Sequence, residues 1–184
     1  FTMTHEYDAG LAEEEEHLYD GFGFLTLAAG GLLFALGDGG NQEIVCFDAR
    51  TLEVRHRFGR GLFNSLDVFG MAAVGNELFV LDRDSKSIIA FSLAGALLRS
   101  FGLGDCVHGV HTGQLHHFDG RLYLRDHGTH IIVLTLEGER LQVWRPDASR
   151  DVRGLLCIYG RKLLIETRNA DGNEAVRLEA LQGI

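Results

Sequence analysis

Apolar residues in this chain come in short runs of four to six, rich in Val, Ile, Leu and Phe, with Gly, Asn or Asp between them. Four of the runs are alike: Gly31-Leu-Leu-Phe-Ala-Leu-Gly-Asp38, Asn76-Glu-Leu-Phe-Val-Leu-Asp-Arg83, Gly120-Arg-Leu-Tyr-Leu-Arg-Asp-His127 and Gly160-Arg-Lys-Leu-Leu-Ile-Glu-Thr167. A second run follows each: Glu43-Ile-Val-Cys-Phe-Asp48, Ser87-Ile-Ile-Ala-Phe-Ser92, His130-Ile-Ile-Val-Leu-Thr135 and Glu174-Ala-Val-Arg-Leu-Glu179, with starts 44, 43 and 44 residues apart. A third element, ending in Arg57-Phe58-Gly59, Ser100-Phe101-Gly102 and Val143-Trp144-Arg145, recurs at 43 and 43. Runs this short, bounded by turn residues, predict strands, because a helix needs about 10 residues of 3.6-residue periodicity and tolerates glycine poorly. The longest apolar stretch, Phe22 to Leu36, is broken by Gly23, Gly30 and Gly31 and predicts two strands. Three or four short strands recurring every 40 to 45 residues predict an all-β β-propeller of about four blades, at roughly 22–61, 62–104, 105–147 and 148–184. A single blade cannot cover its own apolar faces, so stability in such a fold is collective.

The second repeat is the most regular. Phe63-Asn64 leads to Phe69-Gly-Met-Ala-Ala-Val74, then Asn76 to Asp82, Ser87-Ile-Ile-Ala-Phe91 and Ala94-Gly-Ala-Leu-Leu-Arg-Ser-Phe-Gly102. This resembles the NHL repeat, whose pattern runs from a Gly-apolar strand through an apolar strand ending in Ala-Asp and closes in Gly-x-x-x-x-x-Phe-Gly. The first repeat matches in its second half, the third from Gly120 to Trp144, and the fourth diverges most. Two departures stand out: the Pro that usually precedes the first strand is missing, and Ser85-Lys86-Ser87 replaces the usual Asn-His-Arg. The resemblance implies a ring of five or six blades, more than four repeats supply. Three readings follow: a fragment of a larger ring, a small four-bladed ring, or an open arc completed by another copy.

Composition narrows the function classes. With 17 Lys+Arg against 26 Asp+Glu the formal charge is −9, which argues against a nucleic-acid partner, since gripping a phosphate backbone needs a basic face. With 46% hydrophobic residues the chain can bury a core, and 24 Gly with one Pro excludes Pro-rich linkers. No apolar run of 18 residues offers a membrane-spanning helix, so no membrane partner is expected. Residues 1–21, with Glu13 to Glu16, read as an acidic segment or a partial blade strand, and they carry no secretory signal pattern. A start at Phe1 reads as a processed or excised piece. Cys46, Cys106 and Cys157 lack CxxC spacing, which points to a reducing compartment, cytoplasmic by default.

Candidate chemistry is sparse. Six of nine histidines (His108, His111, His116, His117, His127 and His130) fall within 23 residues, but adjacent His116 and His117 point to opposite faces of a strand and cannot serve one ion. Asp82, Asp126 and Glu166 close the same run in successive repeats, with Asp38 one step displaced. Such a set is a candidate ring of oxygen ligands for Ca or, with histidine, Zn, although an Asp after a strand also serves its own turn. No serine lies in a Gly-x-Ser-x-Gly elbow and no phosphate-cradling loop opens a helix. Arg50, Arg55, Arg57 and Arg60 with His56 form a modest basic patch that reads as a solvated outer strand.

The expected function is therefore a propeller module without a catalytic residue or resident cofactor, binding a protein or small-molecule partner through loops on one face. Its candidate binding residues are Arg83, Asp84, Ser85, His127 and Thr129, which follow equivalent strands in the second and third repeats. The rival is a metal-dependent propeller enzyme resembling lactonases or peptide-amidating lyases, drawing on Asp82, Asp126, His127 and Glu166. Open blade edges also leave self-association possible.

Overall fold

The computed structural model describes residues 22–37, 43–63, 68–82, 85–104, 115–126, 130–145, 150–159, 162–169 and 171–180, and nearly all of them are in strands. They form four antiparallel sheets in chain order. The first contains β1 (Phe22–Ala28), β2 (Leu32–Gly37), β3 (Ile44–Asp48) and β4 (Val54–Phe58), with a 3-10 turn at Ala29–Gly31. The second contains β5 (Val68–Val74), β6 (Glu77–Asp82), β7 (Ser87–Ser92) and β8 (Leu97–Gly102). The third contains β9 (Leu115–Phe118), β10 (Arg121–Asp126), β11 (His130–Thr135) and β12 (Arg140–Trp144). The fourth is three-stranded, with β13 (Arg150–Tyr159), β14 (Lys162–Asn169) and β15 (Glu174–Ala180).

Each strand pairs with the next along the chain, as short turns require. Asp119 (φ 50°) and Gly120 (φ 69°) join β9 to β10, two consecutive positive φ values that match the twist of a tight hairpin. The innermost strands meet one another in series, β1 on β5, β5 on β9 and β9 on β13. The sheets are therefore stacked face to face around an inner edge, like the blades of a propeller.

Stacking explains why the strand runs are apolar throughout rather than alternating: the middle strands are covered on both faces. Phe34 and Leu36 on β2 face the second sheet, where they meet Leu78, Val80, Met71 and Phe91. Phe79 and Leu81 on β6 face the third sheet and meet Leu122, Leu124, Leu115 and Leu134. Tyr123 on β10 faces the fourth and meets Leu155, Leu163 and Ile165. Phe34, Phe79 and Tyr123 thus hold one place in successive sheets, and each such fully buried ring contributes about 2–3 kcal/mol of burial.

The outer strand locks the first two junctions. Phe58 on β4 lies against Gly95 in the β7–β8 turn, where an added Cβ would stand 2.6 Å from the Phe58 ring. Phe101 on β8 covers Gly138 in the β11–β12 turn in the same way. Both glycines have φ near 90°, a conformation and a clearance that only glycine supplies. This is the physical content of the Phe-Gly spacing in the sequence: the Phe of one blade needs the Gly of the next.

Candidate functional site

Antiparallel order sends alternate connections to opposite ends of the sheets. One end carries the β1–β2, β5–β6 and β9–β10 turns together with the β3–β4, β7–β8 and β11–β12 turns. These are tight and self-satisfied. Asp48 accepts hydrogen bonds from the Arg50 and Thr51 amides through Oδ1, at 2.9 and 3.1 Å. In the same place Ser92 Oγ accepts from the Ala96 amide and Thr135 Oγ1 accepts from the Glu137 and Glu139 amides. With the Arg55 guanidinium as its strongest partner, the Asp48 carboxyl is held down at about 2.

The opposite end carries the connections from β2 to β3, β6 to β7 and β10 to β11, and the links from each sheet to the next. The links 59–67 and 103–114 and the β2–β3 connection 38–43 are longer than any turn at the first end, whereas 83–86 and 127–129 are as short as those turns. Of the five candidate binding residues, Ser85 is described: its hydroxyl donates to Asp82 Oδ2 at 2.6 Å, and its Oγ lies 2.6 Å from Ser87 Oγ. Arg83, Asp84, His127 and Thr129 lie outside the described residues, as do Asp38, Cys106, His108 and His111. The Lys86 carbonyl accepts from the Leu103 amide at 2.8 Å, which pins the link between the second and third sheets against the Ser85 turn.

The acidic set divides between strand faces. Asp82 ends β6 opposite Ser87, and Asp126 ends β10 opposite His130, so these two are equivalent by register. In β14 it is Leu163 and Ile165 that face the third sheet, as Leu122 and Leu124 face the second. Counting on from them, Thr167 takes the place of Asp82 and Asp126, while Glu166 lies on the other face. The sequence alignment slipped by one residue there, and in a strand that exchanges faces. Register thus puts Glu166 on the strand face opposite to the one that the places of Asp82 and Asp126 occupy. Among the described residues no group of three or more His, Cys, Asp or Glu side chains is placed to hold a metal ion. Asp82 itself is buried and takes a hydrogen bond from its own turn.

The histidines divide as alternation requires. His116 on β9 reaches into the junction with the fourth sheet, where Nε2 stands 2.8 Å from the Leu155 carbonyl oxygen. A carbonyl only accepts, so Nε2 carries the proton. Burial pushes the His116 imidazole below its usual range, against the opposing pull of that carbonyl, and burial lowers His117 as well. In the basic patch, Arg55 is bonded to Asp48 and Arg57 to Glu43 Oε1 at 2.7 Å.

Sequence reasoning passed over a second inter-blade device. Two residues before each closing aromatic stands His56, Arg99 or Gln142, spaced by 43. His56 Nε2 lies 3.1 Å from the Leu93 carbonyl oxygen of the next sheet, and Arg99 donates to the equivalent Leu136 carbonyl at 3.2 Å. Arg99 also grips Glu77 with both nitrogens, at 2.7 and 2.8 Å, and lies over the Phe79 ring. The shared 43-residue spacing was the available signal.

No family model and no curated protein matches the sequence. Solved structures do. The chain is similar to a catalytically inactive virginiamycin B lyase from Staphylococcus aureus with quinupristin, at 15% identity and a TM-score of 0.59, over 86% of this chain and 55% of that one. It is similar to the WD40 repeats of RRP9 at 14% identity and a TM-score of 0.57, over 84% of this chain and 50% of that one. It is also similar to the computationally designed Ika4 protein at 15% identity and a TM-score of 0.57, over 90% of this chain and 95% of that one. The fold is a β-propeller. The chain spans about half the length of the first solved chains it matches, 53%, 41% and 50% of them. At these identities the likeness establishes the fold alone, and the four sheets are compatible with part of a larger ring.

Proposed function

We propose that this chain is an NHL-like propeller module that binds a protein partner through the loop-bearing end of its sheets. The observation that carries the reading is the segregation of the connections. One end is closed by tight turns whose polar groups are satisfied by Asp48, Ser92 and Thr135. At the other end the connections holding Arg83, Asp84 and Ser85 and those holding His127 and Thr129 leave equivalent strands of adjacent sheets. Stacked sheets hold such connections at fixed separations, which is where specificity is placed on a rigid scaffold.

The test is affinity capture with three immobilised proteins: wild type, an Arg83→Ala/Ser85→Ala/His127→Ala variant, and an Arg50→Ala/Glu137→Ala variant altered at the tight-turn end. A protein retained by wild type and the second variant but lost from the first supports the reading. Equal retention by all three overturns it. A metal-dependent propeller enzyme drawing on Asp82, Asp126, His127 and Glu166 is the rival. Elemental analysis of protein purified without chelator, with Asp82→Asn alongside, separates the two readings. Stoichiometric Ca or Zn lost in the variant favours the enzyme.

A further inference from the structure

Asp-Gly occurs four times in the chain, at Asp20, Asp38, Asp119 and Asp171, and no Asn precedes a Gly. The pair is chemically distinctive because glycine has no Cβ to shield its own amide, so the nitrogen can reach the side-chain carbonyl of the preceding Asp. Asp20 and Asp38 lie outside the described residues. Asp119-Gly120 and Asp171-Gly172 are both exposed and both sit in hairpin turns, so sequence and accessibility alone do not separate them.

What separates them is how the glycine amide is held. Asp119 (φ 50°) and Gly120 (φ 69°) are the central residues of the turn between Phe118 and Arg121, which face each other across β9 and β10. Two positive φ values mark a type I′ turn, whose hydrogen bonds join the flanking residues and leave the second central amide out of the ladder. Among the described residues nothing accepts a hydrogen bond from the Gly120 amide, and no atom stands within 4 Å of the place a Gly120 Cβ would take.

The Gly172 amide is tied down. It donates to the Asn169 carbonyl at 3.0 Å, while Arg168 Nε donates to the Gly172 carbonyl at 3.3 Å. The Asn173 amide donates to Asn169 Oδ1 at 2.8 Å, which closes the same turn from its other side. Swinging the Gly172 nitrogen onto Asp171 Cγ breaks its bond to Asn169, whereas the same movement at Gly120 breaks none.

We propose that Asp119 is a site of spontaneous isoaspartate formation in the folded protein and that the Asp171 turn is protected from it. The Gly120 nitrogen attacks Cγ of the protonated Asp119 carboxyl; an N–C bond forms, a C–O bond breaks, and the amide proton leaves with the hydroxyl as water. The five-membered succinimide then takes back one water at either carbonyl. Opening at one restores Asp119, and opening at the other routes the main chain through Cβ and Cγ and leaves a free carboxylate on Cα. The mass is unchanged, and no enzyme or oxidant is consumed. The extra main-chain carbon falls in a turn of two residues, where the geometry sets the register of the hairpin. Strand β9 touches β5 and β13 and carries the His116 bond to the Leu155 carbonyl, so the change loosens the inner strand of the third sheet. The proposal does not depend on the partner-binding reading, because this turn lies at the opposite end of the sheets.

The test is ageing of the full chain in mildly acidic buffer, where the protonated carboxyl is the electrophile, with a parallel sample in denaturant. Digestion and electron-transfer fragmentation, which marks the extra backbone carbon, assign isoaspartate to each site. Several-fold more isoaspartate is expected at Asp119 than at Asp171 in the folded protein, and similar amounts at the two in denaturant, where both turns are lost. Asp119→Glu should abolish the signal at residue 119, because ring closure would need six members, and leave that at Asp171 unchanged. The modified fraction, separated by ion exchange, should exchange amide hydrogens faster in β9 than fresh protein does. No isoaspartate at Asp119, equal or greater conversion at Asp171 in the folded protein, a preference that persists in denaturant, or unaltered exchange in β9 overturns the proposal.

Discussion

The junction between the second and third sheets and that between the third and fourth are made by the same repeat, yet they hold by different means. At the former, Phe79, Leu81, Ile88 and Ala90 meet Leu115, Leu122, Leu124, Ile132 and Leu134 in an apolar cluster. Phe101 then lies on Gly138, and Arg99 ties Glu77 to the Leu136 carbonyl at the edge. At the latter, Tyr123, Ile131 and Val133 meet Leu155, Leu163 and Ile165 in a smaller cluster, beside two buried polar residues, Arg125 and Thr167. There β13 is irregular at Val152/Gly154 and Leu155/Cys157, and a His116 bond to the Leu155 carbonyl spans the inner strands. Where the repeat is regular, the junction rests on apolar volume and backbone clearance. Where it diverges, a titratable bond replaces part of that volume.

The sharpest way to break the regular junction is Gly138→Val. The new side chain enters the space of the Phe101 ring at a φ of 91°, so both steric overlap and backbone strain oppose it. A loss of about 3 kcal/mol in denaturant unfolding is expected. Retention of wild-type stability would show that Phe101 does not need that turn. Arg99→Ala should cost less, about 1 kcal/mol, because the pair with Glu77 is partly exposed and screened. A double-mutant cycle with Glu77→Ala isolates the pair, and a coupling near zero would reduce the clamp to a surface contact.

Acidification probes the other junction. The folded His116 pKa lies below its ordinary value, so the unfolded chain binds the additional proton first. Stability is then fully present above about 6.5, the ordinary histidine value, and falls as the pH drops through the lower folded value. Hydrogen exchange at pH 5 should therefore quicken in β13 to β15 before it quickens in β5 to β8. Asp48 and Glu77, both held low by arginine, remain ionised there and do not confuse the readout. A His116→Gln variant should flatten the response, and an unchanged pH profile would remove His116 from the junction. The smallest effect is expected at Leu52→Gly, where relief of a positive φ is offset by greater freedom of the unfolded chain, within about 0.5 kcal/mol. The contrast with Gly138→Val, at an equivalent turn, separates a covered turn from an open one.

Much of this architecture is legible along the chain. Second runs starting at residues 43, 87, 130 and 174 mark the third strands β3, β7, β11 and β15 to within a residue. Phe58, Phe101 and Trp144 mark the outer strands. The site was less legible. Glu166 looked equivalent to Asp82 because both follow an apolar run, but Leu163 and Ile165 set the face of β14, and the match slipped by one residue. His56, Arg99 and Gln142 shared a spacing that meant nothing until the carbonyls of Leu93 and Leu136 were placed opposite the first two.

Local chemistry along the sequence determined strand, turn and repeat, because run length, glycine position and side-chain capping act within a few residues. Only the tertiary structure decided which face of each strand meets which neighbour, since strand faces alternate at every residue and a period of 43 or 44 does not say where an insertion falls.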